Sequence, residues 1–131
     1  MTSFDFEQMQ FGDAVRVKRN GTAKLLRVCG KRNGFLIASD GSEYEQDECE
    51  PILLTDTDAL LKLGFRKQYG LFDPNGCYCF GWLDIYSDHI CIWMEQCGVQ
   101  QRGVHGYKYL HQAQQKFREL HNVELKFKYD K

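Results

Sequence analysis

With 131 residues, 43% of them hydrophobic and 14% aromatic, the chain has material for a folded core and is not composed like a disordered protein. A formal net charge of −1 excludes a general attraction to nucleic acid or to an anionic membrane, so any such binding must come from a local patch. No stretch approaches the roughly 18 apolar residues that span a bilayer, and the opening MTSFDFEQMQFGD carries acids where a secretory leader carries Lys or Arg, so the expectation is a soluble cytoplasmic protein.

Residues 12 to 50 are punctuated by Asn20 and Gly21, Asn33 and Gly34, and Asp40 and Gly41, pairs that accept the backbone angles of tight hairpin turns. The intervening AVRVK, AKLLRVC, GFLIAS and EYEQD read as four short strands of a meander, a small SH3-like barrel or a curled sheet. This module is expected to occupy residues 1–51. Residues 52–131 then form an α+β module in the order α-β-β-β-α-β.

In that second module, Pro51 ends the last strand of the first and Thr55 is the expected N-cap of a short helix. Asp56 and Asp58 suit the helix's positive end, Leu60, Leu61 and Leu63 form its apolar stripe, and Gly64 stops it. FRKQYGLF, a turn at residues 73–76, then CYCFGWLDIY and HICIWMEQC joined at Ser87 and Asp88 read as a three-stranded antiparallel unit. After the glycine-bearing GVQQRGVHG, YKYLHQAQQKFRELHN places apolar residues at 110, 113, 117 and 120, the spacing of one helical face. VELKFKY alternates as a final strand.

Six cysteines in such a chain are expected to be reduced thiols rather than a disulfide framework. If residues 77–86 form one strand, Cys77 and Cys79 share a face with Leu83 and Ile85. A two-residue loop at Ser87 and Asp88 pairs Ile85 with Ile90, Leu83 with Ile92 and Asp84 with Cys91. Cys91 and Cys97 then lie on the opposite face, the thiols cannot converge, and no metal or cofactor is expected.

The same parity gathers Tyr78, Phe80, Trp82, Tyr86 and Trp93 on a second apolar face, with Asp84, His89 and Glu95 among them. Such a face is either covered by the first module or helix, or it serves as an interface or stacking platform. On the long helix, His111, Gln115 and Arg118 form a polar stripe that completes the candidate binding residues. Arg16, Lys18, Arg19, Lys24, Arg27, Lys31 and Arg32 are candidates for phosphate contacts, although the acids at 40–50 offer neutralising cross-strand partners and that reading is preferred. No catalytic motif is present in the sequence; His111 or His89 would need a carboxylate neighbour to act as a base.

The segments EPILLTDTDALLKLGF and YKYLHQAQQKF with VELKF resemble a recurring family of small uncharacterised proteins carried by phages, prophages and mobile elements of Bacteroides-type gut bacteria. That family has a short N-terminal β module, an E-P-I-P-L-T-like junction, a Leu-rich helix ending in G-F, and a Y-x-H-Q-L-Q-N-like helix. Here Leu54 follows Leu53 with no second proline, and the helix reads Tyr109, Leu110, His111, Gln112, Ala113; the specific match covers residues 50–65 and 107–127. The resemblance implies a mobile-element origin and brings no catalytic residues with it. The leading expectation is a non-enzymatic protein that binds a protein or small ligand, or a second copy of itself. A nucleic-acid-binding regulator is the alternative, and a small hydrolase or nuclease a weaker one.

Overall fold

Turn chemistry organises the first half. In the computed structural model, which describes residues 6–70, 73–96 and 99–131, Asn20 and Asn33 each adopt φ 53° at the head of a two-residue hairpin turn. The strands so defined are β1 (Ala14–Arg19), β2 (Thr22–Arg32), β3 (Phe35–Ala38), β4 (Glu43–Tyr44) and β5 (Cys49–Glu50), in the antiparallel order β4-β3-β2-β1-β5. The expected strand at 43–47 is shorter, because a 3-10 turn, Gln46–Glu48, redirects the chain so that β5 can pair with β1. β4 and β5 end this sheet on opposite edges, so it is an open sheet and not a closed barrel. Val15, Val17, Leu26, Val28 and Leu36 are buried in one cluster with Phe6, from the preceding 3-10 turn Phe6–Gln8, and with Met9 just after it.

Helix α1 (Thr57–Lys62) is capped by Asp56 rather than by Thr55: the Asp56 carboxylate accepts the Ala59 N–H at 3.2 Å. Leu60 and Leu63 are fully buried, whereas Leu61 points outward at 50% exposure, so the apolar stripe is narrower than its sequence implies.

The second sheet has five strands where three were expected. They are β6 (Arg66–Gly70), β7 (Asp73–Phe80), β8 (Leu83–Ile85), β9 (Ile90–Gln96) and β10 (Val99–His105), in the order β10-β9-β8-β7-β6. β7 already pairs with β6 at Asp73, so residues 73–76, expected as a turn, lie within a strand. The glycine-bearing segment before the long helix, for which the sequence predicts no element, supplies β10. The segment 77–86, read as one strand, is broken at Gly81 and Trp82. Gly81 adopts φ 57° at the first central position of a two-residue turn, where a side chain is strained, and β8 folds back along β7.

Helix α2 (Leu110–His121) is closed at its start by Gln112, whose Oε1 accepts the Tyr109 N–H, and at its end by Asn122 at φ 55°. Leu110, Ala113 and Phe117 meet Leu83, Ile85, Ile90 and Ile92 in the larger core. Residues 123–129 alternate like a strand but join neither sheet. Instead the Lys128 N–H donates to Leu63 O and the Asp130 N–H to Leu25 O, while Phe127 packs against Phe65 and Phe80 at 5.2 and 4.8 Å between ring centres. This C-terminal segment, with Ala14 and Leu25, ties the first sheet to the second module. No helix among the described residues is long and apolar enough to cross a membrane.

Candidate functional site

Cross-strand partners in an antiparallel pair project to the same side of the sheet. The hairpin at Gly81 pairs Tyr78 with Ile85, Cys79 with Asp84 and Phe80 with Leu83; β8 pairs Leu83 with Ile92, Asp84 with Cys91 and Ile85 with Ile90. The β8–β9 register is therefore the expected one, but the turn reverses the assignment of β7. Tyr78 and Phe80 join the aliphatic, helix-facing side, and Cys77 and Cys79 join Asp84, Cys91 and Trp93 on the other. The expectation that Cys77 and Cys79 lie opposite Cys91 is overturned; Cys97 and the Glu95 side chain lie outside what the structure describes.

The thiols and the carboxylate of this outer face converge. Cys77 Sγ and Cys79 Sγ are 3.3 Å apart, and ligand atoms of Cys77, Cys79 and Asp84 lie within 4.8 Å of one another. Trp93 donates its indole N–H to Asp84 Oδ2 at 2.7 Å, which orients the carboxylate. Burial first, then hydrogen bonding to Asp84 and Cys77, pushes the Cys79 thiol well above its ordinary range. Burial, with Cys77 and Asp84 nearby, likewise pushes Tyr86 up to about 12, so both groups are protonated at neutral pH. Cys91 is fully buried and Cys77 is 9% exposed, and neither belongs to the two apolar cores.

The five aromatic candidates are not coplanar. Tyr78, Phe80 and Trp82 pack against the larger core, Trp82 meeting the His121 ring edge-on at 5.9 Å. Trp93 lies on the outer face. Tyr86 stacks on His89 at 4.6 Å and, with Tyr78, Lys67, Thr55 and Thr57, lines a mostly apolar pocket of about 240 Å³ at the end of the β7–β8 hairpin.

The polar stripe of α2 faces the chain itself. His111 is 2% exposed and stacked on Tyr109. Gln115 Nε2 donates to Asp13 Oδ2 at 2.7 Å and to Gln8 O at 2.8 Å, and Arg118 donates to Asp13 Oδ1 and to Gln10 Oε1. The neighbouring Gln114 accepts the Ala14 N–H at 2.7 Å and donates to Gly12 O. Sequence reasoning missed Asp13, the buried acid around which residues 8–14 dock onto this helix. His89 does have a carboxylate neighbour, Asp88, but the pair sits on a hairpin tip with the Asp88 side chain 83% exposed.

The basic strands are largely neutralised. Arg16 pairs with Asp56 and Glu50, Lys18 with Glu50 at 3.2 Å, and Arg19 with Glu48 at 2.8 Å. Lys24 approaches Asp40, Arg27 approaches Glu124, and Arg32 pairs with Glu43. Lys31 lies over the Phe6 ring and donates to Glu7 O. Apart from Lys31, the candidate cations on these strands thus serve cross-strand and tertiary ion pairs.

No family model, curated protein or solved structure matches this chain.

Proposed function

We propose that the protein acts by binding rather than by catalysis, as an accessory protein of phage or mobile-element origin working in a bacterial host's cytoplasm. The observation that carries this reading is the pocket where Tyr78 and Tyr86 converge with Lys67, Thr55, Thr57 and Ser87: a mostly apolar cleft with two aromatic rings, several hydroxyls and one cation in its lining. Such a lining suits a planar or apolar group bearing a negative charge, on a partner protein, a small ligand or a second copy of the chain. Lys67 Nζ already lies 5.3 Å from the centres of both the Tyr69 and Tyr78 rings, which presents the charge beside the cleft.

The histidines support the same reading, since His111 is buried under Tyr109 and His89 forms a solvated pair with Asp88. For the first sheet, the order β4-β3-β2-β1-β5 with a 3-10 turn before β5 supports an SH3-like affinity, which by itself selects no ligand.

Native mass spectrometry of the untagged protein tests the proposal. A second subunit or a retained mass in the wild type, lost in a folded Tyr86→Ala variant, is the expected result. A bare monomer at its calculated mass, when the protein is taken from its own host, overturns it.

A further inference from the structure

We propose that Cys77, Cys79 and Asp84 form a zinc site on the outer face of the second sheet, with three protein ligands and an open fourth position. The proposal does not depend on the partner reading above, because it concerns the isolated chain.

Geometry carries it. Cys77 and Cys79, two residues apart on β7, project side by side, and Asp84 faces Cys79 across the hairpin. A tetrahedral zinc with bonds of about 2.0–2.3 Å needs its ligand atoms roughly 3.3–3.8 Å apart. The two sulfurs stand at 3.3 Å and the whole trio lies within 4.8 Å, so side-chain shifts of about half an ångström per ligand close the set. The alternative product of two adjacent thiols is less suited to this backbone: residues i and i+2 of an extended strand have Cα atoms roughly 6.5–7 Å apart, at the upper limit for a disulfide.

Chemistry agrees with geometry. Two sulfurs and one carboxylate oxygen are a borderline-soft donor set, suited to zinc and foreign to magnesium or calcium. The Trp93 indole, hydrogen bonded to Asp84 Oδ2, is the outer partner that fixes a ligating carboxylate and leaves its other oxygen for the metal. Access runs through an open groove of about 340 Å³ that borders Cys79 beside Arg66 and Gly81. On binding, each thiol gives up its proton to solvent, so two protons leave as one Zn²⁺ enters. Two thiolates and one carboxylate leave the filled site with one net negative charge, and Arg66, the cross-strand partner of Cys79, stands next to it.

The test is a Co²⁺ titration of the chelator-stripped, reduced protein under anaerobic conditions. Expected is one equivalent bound, with a near-ultraviolet thiolate-to-cobalt band and the visible bands of a tetrahedral ion, both abolished by added Zn²⁺. Cys79→Ser and Cys77→Ser should each weaken binding and cut the thiolate band to half or less, and the double Cys77→Ser, Cys79→Ser variant should lose it, all with the wild-type far-ultraviolet circular dichroism. Trp93→Phe, which removes the donor to Asp84, should weaken binding about tenfold. A Cys29→Ser, Cys49→Ser double variant should bind as the wild type does. Absence of the thiolate band, its persistence in the Cys77→Ser, Cys79→Ser double variant or at undiminished strength in both single variants, or its loss in the Cys29, Cys49 double variant overturns the proposal.

Discussion

Arg118 reaches from α2 to Asp13, a carboxylate with no solvent exposure, and closes a seam that Gln114 and Gln115 continue along the same helix. Removing the guanidinium would leave a buried acid with the Gln10 N–H and Gln115 as its remaining donors. Arg118→Ala should lower stability by about 3 kcal/mol in urea denaturation. Arg118→Lys should recover little, because an ammonium lacks the planar fork by which separate guanidinium nitrogens reach Asp13 and Gln10.

Acid should unfold the protein in a defined window. Burial works against the charged form of Asp56, yet hydrogen bonds from Arg16 and from the Ala59 N–H hold its carboxyl below the ordinary range. Asp40 behaves alike: burial opposes ionisation, and hydrogen bonds from Tyr44 and the Ser42 N–H, with Lys24, outweigh it. The Arg19 hydrogen bond holds Glu48 near about 2. A depressed folded-state pKa contributes stability that is fully present above the unfolded value of about 4 and is lost as pH falls through the folded value. Thermal midpoints should be flat above about pH 5 and decline towards pH 2. Asp56→Ala should cost about 1 kcal/mol at neutral pH through the lost cap, and should flatten the acid slope.

Two glycines should differ in their tolerance of alanine. Gly81 has no atom within 4 Å of an added Cβ, so Gly81→Ala should cost about 1 kcal/mol, the left-handed backbone penalty alone. At Gly76, with φ 74°, an added Cβ would stand 2.5 Å from the Gln68 carbonyl oxygen. Backbone cannot rotate out of the way there without breaking the β6–β7 pairing, so Gly76→Ala should cost about 3 kcal/mol. Chemical denaturation of the two variants side by side measures the difference.

Thiol reactivity should separate the cysteines. Cys29 is half-exposed, the extra residue of a bulge between β2 and β3. Burial, followed by the charges of Glu48 and Asp47, pushes the Cys49 thiol up to about 12. Because the thiolate is the reacting form, iodoacetamide near neutral pH should label Cys29 well before Cys49 or Cys79 in the folded protein, as peptide mass mapping will show. Equal labelling rates would contradict the folded burial of Cys49.

Much of the layout was legible in the chain because its signals are local. Asn20 and Asn33 mark hairpin turns wherever they occur, and Leu110, Ala113 and Phe117 mark an inward helix face at any position in a fold. The Ser87, Asp88 loop likewise set the β8–β9 register, since a two-residue loop leaves one pairing. β10 was not legible: Gln100, Gln101 and Arg102 have no apolar alternation, and the segment is a strand because β9 offers it an edge. Residues 123–129 show the converse, a clean alternation whose backbone partners turned out to be Leu63 and Leu25 outside any ladder.

Composition, turn residues and periodicity thus determined an α+β chain with an antiparallel N-terminal sheet, two helices and an antiparallel second sheet, because each of those rests on interactions within a few residues. The folded structure decided which side chains of β7 share a face with those of β8 and β9. Period-two parity carries information only while a strand is unbroken, and the turn at Gly81 reverses it, taking Tyr78 and Phe80 into the core and bringing Cys77 and Cys79 to Asp84. The pairing of Arg118 with Asp13 was hidden for a related reason: attraction between charges 105 residues apart in sequence is decided by where the fold puts them.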